Sequence, residues 1–169
     1  MAIKRIIVLG CSGSGKSTLA PVLAARLALP YLPTDPVYWT ADWRPVPAVE
    51  VRAWADAATS AGAWVLDGNF DAERDLVWGR ADLAVWLDLP LATTAWRVTR
   101  RNLGWWLSRA SVWGGNRMTL VKALTGIRHT LRSHALKHRT YPAQLAEFPH
   151  LQVVRITAPR QLAAWLAGL

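Results

Sequence analysis

The chemistry legible in this sequence is concentrated in one run, Gly10-Cys11-Ser12-Gly13-Ser14-Gly15-Lys16-Ser17-Thr18. It matches G-x-x-x-x-G-K-[ST], a pattern whose glycines let the backbone fold tightly and turn several N–H groups onto an anion. A helix opening near Lys16 adds its positive end. In this arrangement Lys16 reaches the β- and γ-phosphates of a nucleotide, and the Ser17 hydroxyl binds Mg²⁺. The expected ligand is a nucleoside triphosphate. Cys11 sits among inward-turned amides, so an acidic, oxidisable thiol is expected there, without a catalytic role.

Three further groups bear on phosphate chemistry. Asp67 ends an apolar run, and a carboxylate there orients Mg²⁺ directly or through water; the alternative is a turn carboxylate, since Asp-Gly is a common turn pair. Asp35 follows a second short strand and is expected to bind an acceptor hydroxyl or take its proton. It reads equally as a polar loop residue before Pro36. Arg97 and Arg101 stand four apart on a predicted helix and share a face, which suits the spreading charge of a transferring phosphoryl group. Arg117, Arg128, Arg132 and Arg139 are unranked candidates, each also readable as a surface residue. Tyr38, Trp39 and Trp43 either stack on a planar acceptor or pack onto the domain.

The elements that must position these residues follow from hydrophobic period and breakers. Strands are expected over 3–9, 30–33, 64–66, 83–87 and 152–156. Helices are expected from about 16, over 47–61, from Asp71 as a cap to 78, from 91, over 104–126 with breaks at Gly114-Gly115, over 127–137, and from Pro159 to 168. Residues 36–43 read as an aromatic loop. Trp54, Trp64, Trp78, Trp86, Trp96 and Trp165 fall in periodic segments and are expected to pack in the core or between helices. Uniformly apolar strands alternating with helices predict an α/β fold, a parallel five-stranded sheet covered on both faces. Ligands bind beyond the carboxyl ends of such strands, where Gly10, Asp35, Asp67 and Asp88 fall. Asp88, just before Pro90, is assigned a structural role.

At 169 residues, 52% of them apolar, the chain is expected to form a single domain over 1–169, with 97–140 as a helical basic lid. No apolar run is long enough for a membrane span, and Gly10 interrupts the first one too early for a signal peptide. A single cysteine excludes an internal disulfide and a cysteine zinc site. A cytoplasmic protein, monomeric or homodimeric, is expected. The net charge is +9. Ten of the 20 Lys and Arg residues lie over 89–146, where there is no Asp or Glu. That stretch reads as a solvated basic face, a phosphate-facing lid or a surface for nucleic acid.

With these residues in view, the chain resembles the adenylate-kinase-like branch of the P-loop kinases, and within it the bacterial DNA topology modulation proteins. The resemblance is carried by residues 10–18, 32–43, W-V-L-D-G-N-F over 64–70, and 82–90. It continues through Trp96-Arg97, Arg100-Arg101 and Gly115-Asn116-Arg117 to the final strand, Pro159 and Trp165-Leu166. It implies the three-layer P-loop NTPase fold with ATP and Mg²⁺. Asp67-Gly68 would match the start of the D-G-F-P-R segment of adenylate kinases, Arg97 and Arg101 the paired arginines at the lid base, and the turn over 157–160, with Pro159, would lie beside adenine. Asn69, Phe70 and Asp71 replace the rest of that segment, so AMP is not implied as acceptor. Two functions follow. One is a kinase moving the γ-phosphoryl group of ATP to a small-molecule acceptor, such as a nucleoside or nucleotide. The less favoured one is a nucleotide-switched protein that binds DNA or a protein partner through its basic segment.

Overall fold

The computed structural model describes residues 3–169, except for the side chains of Asp35 and Pro36. Its centre is three adjacent strands, β1 (Arg5–Gly10), β3 (Trp64–Asp67) and β4 (Leu83–Leu87), whose β-branched and aromatic side chains are almost all buried. Short β2 (Tyr31–Leu32) and half-exposed β7 (Gln152–Ile156) form the edges of a parallel sheet ordered β2-β3-β1-β4-β7. Val8 stands opposite both Asp67 and Val85, and Gly10 opposite Leu87. This register brings the glycine-rich loop, the turn after Asp67 and Asp88 out at one edge. The opposite edge is pinned by Asp82, which accepts the backbone N–H groups of Lys4 (3.0 Å) and Arg5 (2.9 Å) and pairs with the Arg5 guanidinium at 2.6 Å.

Strand alternation splits the core into two layers. Ile6, Val8, Val65, Val85 and Leu87 face α1 (Lys16–Leu27) and α7 (Pro159–Ala167). Ile7, Leu9, Trp64, Leu66 and Trp86 face α3 (Ala48–Thr59), α4 (Arg74–Arg80) and the far end of α6 (Leu120–Ala146). This is the three-layer α/β arrangement expected from the sequence. Asp88 accepts both Arg155 of β7 (2.5 Å) and His138 of α6 (3.0 Å), tying the end of β4 to its neighbours.

The segment between β4 and β7 departs from the expectation. Residues 104–126 are not one interrupted helix. α5 (Leu91–Ser108) ends at Arg109, which adopts the left-handed conformation, and a small antiparallel hairpin follows, β5 (Ser111–Val112) with β6 (Asn116–Arg117). Gly114 and Gly115, at φ 66° and 78°, make its turn, and two-residue strands are too short to show a period. α6 is one helix of 27 residues, about 40 Å long, that runs past both expected ends and through Pro142. The aromatic loop contains one helical turn, α2 (Asp35–Tyr38), and a 3₁₀ turn at Ala41–Trp43. Trp96 is 67% exposed rather than packed, because it lies about half a turn from the buried α5 face of Thr94, Val98 and Asn102.

Candidate active site

The loop after β1 is built as an anion cradle. Gly15 caps α1 at φ 102°, so the first turn of the helix, with the positive end of its dipole, stands at the loop. Lys16 curls back, its Nζ donating to the carbonyls of Gly10 (2.9 Å) and Cys11 (3.1 Å). Gly13, at φ 78°, lies directly under α5: a Cβ there would come within 2.5 Å of the Thr94 carbonyl oxygen. That close approach brings the two expected arginines onto the loop. Arg97 Nη1 donates to the Ser14 carbonyl (3.3 Å), and Arg101 Nη2 donates to Ser12 Oγ (3.2 Å). The Arg101 guanidinium also lies 4.7 Å from the centre of the Trp105 ring. An acidic Cys11 is overturned. The residue is 4% exposed, and burial pushes its thiol up, outweighing a hydrogen bond with Thr94 and the charge of Lys16.

A cleft of about 1170 Å³ opens over the carboxyl ends of β1 and β3. Residues Ser12 through Thr18, Asp67, Arg97 and Arg101 all line it, so Ser17 and Asp67 share one cavity. Asp67 is 3% exposed; the Thr34 N–H donates to its Oδ1 (3.3 Å), and the Thr34 hydroxyl donates to its carbonyl. A hydroxyl and a carboxylate suit Mg²⁺, which takes few protein oxygens and completes its shell with phosphate and water. Among the described residues no cluster of three His, Cys, Asp or Glu could hold a metal on its own.

The sequence did not single out several residues of this cleft. Asn69 Oδ1 accepts the Gly10 N–H (3.0 Å), fastening the turn after β3 to the start of the loop. Glu73, Lys122 and His129 also line the cleft. Asp71 does not cap α4, which starts only at Arg74 with Glu73 before it. Asp71 instead accepts the Tyr141 hydroxyl (2.7 Å) and pairs with Lys137 (2.5 Å). Burial pushes the Tyr38 hydroxyl well above its ordinary value, with Glu73 and Asp71 adding to the shift. Asp35 opens α2, and the role expected of its side chain falls outside the described residues.

The aromatic loop and the hairpin are joined by Asn116. Its Oδ1 accepts the Trp43 N–H (2.8 Å), and its Nδ2 donates to the carbonyls of Thr40 (2.8 Å) and Trp113 (2.6 Å). Edge-on ring contacts run from Trp39 to Trp43, from Trp43 to Trp113 and from Trp113 to Trp105, ending under Arg101. Pro159 opens α7 and is not part of the cleft wall, to which that helix contributes Leu162 and Leu166.

Solved structures resemble this arrangement over almost its whole length. A shikimate kinase from Acinetobacter baumannii, in complex with shikimate, aligns with a TM-score of 0.57 at 18% identity, over 98% of this chain and 92% of that one. A gluconokinase from Sinorhizobium meliloti 1021 aligns with a TM-score of 0.54, also at 18% identity and with the same coverage. No protein-family model and no curated protein matches the chain. At such identity the likeness is one of fold: the chain has the α/β fold of P-loop kinases.

Proposed function

We propose that the protein is an ATP-dependent small-molecule kinase that transfers the γ-phosphoryl group to an acceptor bound in the same cleft. The observation that carries this reading is the convergence of Lys16, Arg97 and Arg101 on the loop over 10–18, with Ser17 and Asp67 in one cavity. The backbone of Gly10, Cys11, Ser12, Gly13, Ser14, Gly15 and Thr18 shapes the cradle. Lys16, Arg97 and Arg101 stabilise the charge that spreads over the transferring group. Mg²⁺, held by Ser17 and Asp67 with the phosphates, would neutralise charge on the β- and γ-oxygens. Asp35 positions the acceptor hydroxyl, and Pro159 fixes the turn on the adenine side. Closure of the segment over 97–140 excludes water, which would otherwise hydrolyse ATP.

Lys16→Ala and Arg101→Ala test the assignment. Each should lower single-turnover transfer by roughly a hundredfold or more. Activity within about threefold of the parent in both variants would remove the loop from the reaction. Asp35→Ala should reduce turnover far more than ATP affinity; a loss confined to ATP binding would move Asp35 to the nucleotide.

The basic stretch over 89–146 favours a second reading, in keeping with the resemblance to DNA topology modulation proteins: a nucleotide-switched protein that binds DNA or a partner. It predicts tight, salt-dependent binding of a DNA fragment whose affinity changes with ATP. Weak binding that is indifferent to nucleotide argues against it.

A further inference from the structure

One part of the cleft lining runs between Thr34 and Glu73, and the Lys137 cation beside it is paired with Asp71. The lining residues of this wall include three carboxylates, Asp67, Asp71 and Glu73, and no Lys or Arg. Two of them already have roles: Asp67 faces the metal position, and Asp71 is engaged by Tyr141 and Lys137. Glu73 is different. It is only 6% exposed, lines the cleft, and among the described residues its carboxylate meets no hydrogen-bond donor except its own backbone N–H. The nearby Arg52 is committed to Asp75 by two hydrogen bonds, at 3.0 and 2.6 Å. A carboxylate that faces a cleft with no donor from the chain keeps its acceptor capacity for what binds there. The Tyr38 and Phe70 rings, 5.6 Å apart, line the same cleft.

We infer that this wall is the acceptor subsite, that it takes an alcohol bearing no negative charge, and that Glu73 accepts a hydrogen bond from a hydroxyl or ammonium group of that acceptor. An acceptor phosphate or carboxylate would face Asp67 and Glu73, while the cations beside that wall, Lys137 and Arg52, are already paired with Asp71 and Asp75. The inference rests on the kinase reading for the word acceptor, but its test does not require turnover.

The experiment is calorimetric titration of the full chain, saturated with Mg²⁺ and a non-hydrolysable ATP analogue, with matched pairs of ligands. These are nucleosides against their 5′-monophosphates, hexoses against the corresponding aldonates, and amino alcohols against hydroxy acids. At least one uncharged or cationic member should bind saturably and more tightly than its anionic counterpart. Glu73→Gln should weaken that ligand by about tenfold, the scale of one charge-assisted hydrogen bond, while affinity for the ATP analogue stays within about twofold. An anionic member binding more tightly than its uncharged partner overturns the inference. So does an unchanged affinity in Glu73→Gln, or no binding across the panel. Should that variant fold poorly, the charge preference of the parent decides alone. Glu73-dependent binding without ATP consumption would leave the subsite standing and remove the kinase reading.

Discussion

Burial raises the pKa of Glu73 above the ordinary value of 4.5, its own N–H and Arg52 opposing the shift and Asp75 and Asp71 adding to it. The folded chain therefore holds this proton more tightly than the unfolded one. The stability that goes with it is fully present below the ordinary glutamate pKa and is lost as pH rises through the raised value. Glu73→Gln, which keeps the shape without the charge, should melt at a higher temperature than the parent near pH 8, with the gain fading by about pH 4. Thermal unfolding followed by circular dichroism across that range checks it; a variant no more stable than the parent near pH 8 contradicts it. Residues of this kind were hidden in the sequence. Lys16 and Ser17 were legible because their motif is contiguous, and Arg97 with Arg101 because the helical period puts them on one face. Glu73 has no spacing signature, and Asn69 reaches the loop from 59 residues away. Cys11 was misread because its neighbouring amides are visible in the sequence, whereas its burial is not.

Among the elements, the junction of the aromatic loop with the β5–β6 hairpin decides how one side of the cleft is held. Asn116 supplies three hydrogen bonds there, to partners 73, 76 and 3 residues distant. Asn116→Ala should lower unfolding stability by about 2 kcal/mol, mostly from the buried groups left unpaired. It should also free the Trp43 amide, whose exchange with deuterium should accelerate by about tenfold or more. Native-state hydrogen exchange reads this directly; an unchanged Trp43 amide would mean that ring packing alone holds the loop. Strands β1, β3 and β4 and helices α1 and α5 were legible because each is long or uniformly apolar. The hairpin was not, since its strands have two residues each and its glycines look the same as a helix break. The length of α6 was obscured by Gly126 and Pro142, both of which the helix accommodates.

In the molecule as a whole, the parallel sheet sends its loop, the Asp67 carboxylate and the residues around Glu73 out at one edge, and the basic helices α5 and α6 stand over that edge. Charge is thus divided along the cleft lining, with Lys16, Arg97 and Arg101 at the glycine-rich loop and carboxylates on the wall that we assign to the acceptor. The sheet was readable from the alternation of apolar strands with helices, and its likeness to shikimate kinase and gluconokinase structures agrees with it. The acceptor was not readable, because its wall is assembled from α2 and the turn after β3, which only the fold brings together. The central claim, phosphoryl transfer, is tested most directly by following ATP consumption with Mg²⁺ against nucleosides, nucleoside monophosphates, sugars and amino alcohols. One uncharged or cationic alcohol should raise turnover about a hundredfold above ATP hydrolysis, with the phosphorylated alcohol as product. A protein that binds ATP, yet consumes it at the same slow rate with every compound, would contradict the account.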